Sequence, residues 1–309
     1  MRRNHAVCLT FLSHKRPITS LILNILNRNY TNPMRKLLLS ATALMVLFAA
    51  CSKDDDNNNP DPGPGYLPGM KLHQSTVSAL DSLASVYDAN YKLVKQLRFD
   101  EKGSLISTDS MVYENGVITK VINISKTGVQ KLRETLVYNS AGKLEKVGWH
   151  FSSDGSLSDY DSIVYNADGR PASLFAKDAN GTQRSKLIYS WDSKGNLARQ
   201  TRVSYINNIE AKDSSFIDYT YDDKVNFGSK QVEIFLTEPE DVGFAFSANN
   251  MLESVSRSNT SPNNKSIMTE EYTYDKDGYP ITRKDHYKSY TGDQVTFSDE
   301  DAWWFHYTK

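Results

Sequence analysis

From about residue 91 onward, apolar and polar residues alternate one by one, the pattern of strands that turn one face to a core. Leu187, Tyr189 and Trp191 share one face, as do Ile217, Tyr219 and Tyr221, and Tyr272 with Tyr274. Glycines cut these runs at near-regular intervals: Gly103, Gly116, Gly128, Gly142, Gly155, Gly169, Gly181 and Gly195 stand twelve to fourteen residues apart. That spacing is one strand plus one tight turn. Before most of these glycines stands an aromatic, then Asp, Asn or Ser, then two further residues. Full copies begin at Phe99, Tyr138, Phe151, Tyr165, Trp191 and Tyr274, the last ending on Gly278.

The phrase has the chemistry of a hairpin. An Asx or Ser side chain accepts from the turn backbone, two residues take the type I conformation, and Gly takes the left-handed position that closes the bulge. Only Gly or Asn enters that position cheaply. Every second anchor is stronger: Tyr113, Tyr138, Tyr165 and Trp191 alternate with Phe99, Ile124, Phe151 and Lys177. Two strands therefore make one repeat. The stronger series continues through Tyr221, Phe246 and Tyr274; Phe246-Ser247 leads to Asn250 in the glycine place, while Tyr221-Asp222 has Val225 there and must turn differently.

The expected fold is all-β, an antiparallel up-and-down meander of about sixteen strands in a curled or open barrel-like sheet. One exception is expected at residues 75–90, where Val77, Leu80, Leu83, Ala84 and Tyr87 fall at helical spacing and predict a short N-terminal helix closing one end. A barrel facing lipid needs one apolar face on every strand. The strand at 182–191 carries Arg184 and Lys186 with Gln183 and Ser185 beside them, which speaks against a membrane-spanning wall.

The aromatic-Asx-x-x-Gly units, such as Tyr274 to Gly278 and Trp191 to Gly195, resemble the YD repeats of Rhs-type and wall-associated bacterial surface proteins. Together with the targeting segment below, the repeat over about residues 91–309 resembles an uncharacterised family of gut-bacterial lipoproteins with an open, porin-like β-barrel. The resemblance implies that architecture and supplies no catalytic residues. An Rhs shell encloses a toxin, and this chain is too short for that role.

Residues 1–70 are marked by charge and small residues. From Met34 the chain reads Met-Arg-Lys, then runs from Leu37 to Ala50 without a charge, then reaches Cys51. This is a signal peptide over 34–50, its apolar stretch too short to span a bilayer. Ala49-Ala50-Cys51 resembles the lipobox of bacterial lipoproteins, in which the cysteine thiol receives diacylglycerol; Phe48 stands where Leu is usual. Residues 1–33 precede a complete signal and are expected to be a mis-called upstream extension. Residues 51–70, with Asp54-Asp55-Asp56, Asn57-Asn58-Asn59 and a Pro/Gly run, read as a flexible tether. The acidic cluster resembles the surface-export signal of lipoproteins in a Gram-negative phylum of the gut. The repeat domain is then 71–309.

Seven of the 36 basic residues and none of the 37 acidic ones fall in residues 1–50, so the rest of the chain carries about −8. A mildly acidic domain repels phosphate backbones, and no nucleic-acid partner is expected. Both cysteines, Cys8 and Cys51, lie ahead of the folded domain, which excludes disulfides and thiolate metal sites there.

Candidate chemistry is sparse. His150, His286 and His306 have no second His nearby in sequence, and no metal or other cofactor is expected. The acidic pairs Asp222-Asp223 and Glu270-Glu271 and the run Asp299-Glu300-Asp301 read as solvated turn and edge charges, because neighbours on one strand point to opposite faces. No nucleophile elbow or phosphate loop occurs. The remaining candidate is Trp303-Trp304-Phe305, whose rings could stack on a ligand or close the last strand against the core. The expected function is thus a lipoprotein anchored to the outer membrane through Cys51, facing the cell surface, with a non-enzymatic binding or structural role toward a glycan or protein partner. The alternative is a carbohydrate-associated protein, capturing glycans or hydrolysing them through an unidentified carboxylate pair.

Overall fold

The computed structural model describes residues 71–77, 81–90, 92–226, 228–230 and 232–308. The signal, Cys51 and the tether lie outside the described residues, as do the proposed boundaries at 33, 50 and 70.

Sixteen strands follow one another: β1 (Lys71–Val77), β2 (Asp81–Tyr87), β3 (Leu93–Asp100), β4 (Leu105–Glu114), β5 (Val117–Ser125), β6 (Gln130–Tyr138), β7 (Leu144–His150) and β8 (Leu157–Tyr165). Then come β9 (Pro171–Asp178), β10 (Gln183–Trp191), β11 (Leu197–Ile206), β12 (Ile209–Val225), β13 (Asn249–Ser258), β14 (Asn264–Tyr274), β15 (Pro280–Thr291) and β16 (Gln294–Thr308). Each pairs antiparallel with its sequence neighbour, and β1 pairs with both β2 and β16, so the meander joins its own start as a barrel. Joining the ends removes the two edges that a sixteen-strand sheet would otherwise expose.

The predicted helix at 75–90 is replaced by β1 and β2. Spacing alone suggested the helix, but a short isolated helix is marginal in water. Here the segment gains a ladder on each side: Ser75 pairs with Phe305 on one flank and Leu83 on the other.

The hairpins are built as the turn chemistry requires. In the β3–β4 turn Gly103 N donates to Asp100 O, and Asp100 N donates to Ser104 O. The Asp100 carboxylate accepts from Lys102 N and Ser104 N, both at 2.9 Å. The same net recurs at Asn139, Asp178, Asp192 and Asp275. Gly103 sits at φ +73° and Gly195 at φ +91°, with the glycines of the ladder between them also left-handed.

One connection departs from the repeat. Between β12 and β13 the chain forms a 3-10 turn at Gly228–Lys230 and two short helices, α1 (Val232–Thr237) and α2 (Val242–Phe246). Phe246 is therefore the end of a helix, and the expected hairpin from Phe246 to Asn250 is absent. The base of this insertion is drawn shut by Asn226, whose N donates to Ala248 O and whose side chain donates to Phe244 O and Ser247 O. Phe235, Val242 and Ala245 from the insertion pack in one cluster with inward wall residues including Leu93, Ile118, Leu144, Leu174 and Leu197. The insertion is thus a plug that fills one end of the barrel with apolar side chains.

The outer wall carries charge along its strands, at mid-strand in Asp218 and His286. Arg199 and Arg257 flank Asp218, His286 lies between Glu300 (3.1 Å) and Glu271 (3.7 Å), and Lys146 covers the Tyr160 ring at 3.7 Å. A lipid-facing wall does not tolerate such groups at mid-strand, so this face suits water.

Candidate functional site

The interior is layered, and the layers follow from position in the repeat. At the plugged end lies a ring of aromatics that ends alternate strands: Tyr113, Tyr138, Tyr165, Trp191, Tyr221 and Tyr274. Each of the first five donates to the backbone carbonyl of a residue twenty to twenty-four positions earlier: Leu93, Ile118, Leu144, Pro171 and Leu197, at 2.8 to 2.9 Å. Tyr274 instead donates to the Asp222 carboxylate. Burial pushes the Tyr113 hydroxyl up to about 12 and the Tyr138, Tyr165 and Tyr221 hydroxyls higher still.

Two residues back on the same face stand Met111, Leu136, Ile163, Tyr189, Tyr219 and Tyr272. Four residues back, the face turns acidic: Asp109, Glu134, Asp161 and, on β14, Glu270. All four are buried, Glu134 at 0% and Asp161 at 1% exposure. Arg133 bonds Asp109, approaches Glu134 at 2.9 Å and reaches Glu238 of the plug at 3.5 Å. A break in the β5–β6 register beside Glu134 lets these neighbouring residues serve the same interior. Trp149 Nε1 donates to Asp161 at 3.0 Å. Across the barrel, Arg283 lies at 2.8 Å from Asp285 and 3.7 Å from Glu270, its guanidinium over the Trp303 ring, while Trp303 Nε1 donates to Asp285 at 2.7 Å and the Tyr272 hydroxyl donates to Glu270.

Burial raises the Glu134 carboxyl to about 8, because desolvation of the anion outweighs the attraction of Arg133. Burial likewise raises Glu270 above the usual carboxylate range, against the pull of Arg283. Arg133 and Arg283 are held more firmly protonated by the carboxylates around them.

Between collar and plug some inward side chains are incompletely buried. Tyr219 and Tyr272 face inward and are half-buried. Arg202 does the same and pairs at 3.1 Å with Glu240, from the loop that joins α1 to α2. Tyr189 is buried on this wall at 6% exposure, and its hydroxyl makes no hydrogen bond.

The sequence candidates are scattered by the fold. Trp303 and Phe305 are buried inside, whereas Trp304 lies outside at 46% exposure beside Thr282, so the three do not form one patch. His150 bonds Thr135 (3.1 Å) and Gly155 O (2.9 Å), His286 belongs to the outer wall, and the side chain of His306 lies outside the described part. Among the described residues no group of three or more His, Cys, Asp or Glu is placed to hold a metal ion. Glu270 corrects the expectation of solvated acids: it sits in the core, because its parity on β14 matches Tyr272 and Tyr274. Asp222, expected in the same way, accepts from Tyr274 and from Asn250 N. The collar was not anticipated, yet its signal is in the sequence: an acid stands four residues before the anchor at Tyr113, Tyr138, Tyr165 and Tyr274.

No protein-family model matches the chain, and no curated protein matches it. Solved structures do. A porin-like protein from Bacteroides uniformis superposes with a TM-score of 0.50 at 11% identity, covering 79% of this chain and 99% of its own. A porin-like protein from Bacteroides vulgatus gives a TM-score of 0.45 at 14% identity, covering 76% and 97%. A part of the TcdB2-TccC3 structure gives a TM-score of 0.27 at 12% identity, over 68% of this chain and 13% of that one. The chain shares a porin-like β fold with the first of these.

Proposed function

We propose that this protein is a lipid-anchored surface lipoprotein of the outer membrane whose barrel binds a ligand without chemical turnover. The observation that carries the reading is the division of the wall. Its outer face bears mid-strand charges suited to water, and its inner face bears a plug, a charged collar and half-exposed tyrosines. A spanning pore would need the opposite arrangement outside. An anchor at Cys51 supplies the membrane association that such a wall cannot.

β1 begins opposite the end of β16, with Lys71 paired to Thr308, at the end that carries the aromatic ring and the plug.

Labelling growing cells with a radioactive fatty acid tests the anchor: wild-type protein incorporates it and the Cys51→Ala variant does not. Proteinase added to intact cells degrades a surface-exposed protein. Label in both variants, or full protection from proteinase, contradicts the anchor or the surface location respectively.

A further inference from the structure

The interior is electrically lopsided. Asp109, Glu134, Asp161, Glu270 and Asp285 of the wall, with Glu238 and Glu240 of the plug, bring seven carboxyl groups inward, of which Glu134 keeps its proton at neutral pH. Against them stand three guanidinium groups, those of Arg133, Arg202 and Arg283. Arg133 and Arg283 are already enclosed by acids, so the collar suits N–H cations such as guanidinium. Tyr219, Tyr272, Arg202 and Glu240 remain incompletely buried in this part of the interior.

An independent observation points to a missing partner there. Tyr189 is more than nine-tenths buried, faces the interior between β9 and β11, and its hydroxyl makes no hydrogen bond. Burial and the Glu240 and Asp161 carboxylates hold its hydroxyl protonated, against the pull of the Arg202 guanidinium. An enclosed hydroxyl without a partner is costly, about 1–3 kcal/mol.

Building on the binding reading above, we propose that the barrel interior beneath the plug, around Tyr189, takes an organic cation, a ligand carrying ammonium or guanidinium groups. Its charge faces Glu240 and Asp161, its carbon stem lies on the Tyr219 and Tyr272 rings, and one N–H donates to the Tyr189 hydroxyl oxygen. Anions are repelled by the acid excess, and the negative faces of aromatic rings add attraction for cations. A neutral saccharide gains nothing from that excess.

Isothermal titration of the wild-type protein at pH 7 and low salt tests the proposal, with spermidine as the cation and maltopentaose as the neutral control. Spermidine is expected to bind and maltopentaose not. Glu240→Gln and Tyr219→Ala are each expected to weaken spermidine at least tenfold, while Asp223→Asn, exposed near the end of β12, leaves it unchanged. Circular dichroism melts confirm that each variant is folded, and Tyr189→Phe, which removes one oxygen, gives a milder second probe expected to weaken binding several-fold. Binding should also release protons, read as a dependence of the heat on buffer ionisation, because a cation favours the ionised collar acids. No spermidine binding at millimolar concentration overturns the proposal, as does equal binding of maltopentaose or binding indifferent to all three site variants. Such a failure leaves the fatty-acid labelling result untouched, so it is distinguishable from failure of the anchor.

Discussion

The Tyr138 hydroxyl donates to the backbone carbonyl of Ile118 across 2.8 Å, tying the end of β6 to the start of β5. The same bond is made by Tyr113, Tyr165 and Tyr221 one or more repeats away, so the aromatic that marks each turn in the sequence also locks the preceding hairpin. Tyr138→Phe keeps the ring and leaves the carbonyl without this donor. The expected loss is about 1–2 kcal/mol in urea unfolding. Tyr160→Phe, on the outer wall, is expected to change stability by less than about 0.5 kcal/mol.

Turn glycines are needed for backbone conformation and not for space. Gly142 has φ +73° and nothing within 4 Å of where a Cβ would lie. Gly142→Ala should therefore cost about 1–2 kcal/mol, and Gly142→Asn clearly less, both read from the same unfolding curves.

How much of this was legible beforehand follows from the same physics. The glycine turns were, since a left-handed position restricts residue choice locally. The β11–β12 turn was not, because Asn207 (φ 52°) and Asn208 (φ 65°) fill both left-handed places without a glycine. Residues 75–90 misled because Leu80, Leu83, Ala84 and Tyr87 satisfy a helical period by coincidence, and only the distant partner Phe305 makes Ser75 a strand residue. The plug was invisible for the complementary reason: α1 and α2 are too short to show a period, and their stability comes from contacts such as Phe235 with Phe246 (4.8 Å, edge to face). The collar acids were readable as position, but their pairing with Arg133 and Arg283 required the register.

The plug belongs to the core. Phe235 is buried among wall residues from several strands. Phe235→Ala is expected to destabilise the whole barrel by about 3–5 kcal/mol and to lower the thermal midpoint in one cooperative step. A variant in which only a local segment loosens, seen by hydrogen exchange confined to 226–248, would make the plug an independent unit.

Glu134 gives the fold a pH dependence. Its carboxyl titrates near 8 in the folded chain, well above its ordinary value of 4.5. The folded state therefore holds a proton that the unfolded state has released, and stability falls as pH rises from about 4.5 to 8, then levels. Glu270 acts in the same direction. Unfolding free energies measured between pH 5 and 9 should decline in the wild type and decline less in Glu134→Gln.

The central claim is a barrel whose wall faces water and whose membrane attachment resides in Cys51. Phase partitioning in a cloud-point detergent tests both halves at once. The wild-type protein, purified from cell membranes, should enter the detergent-rich phase, and the Cys51→Ala variant should enter the aqueous phase as a folded, β-rich protein. A variant that still follows the detergent would contradict the account, because the wall itself would then be holding lipid.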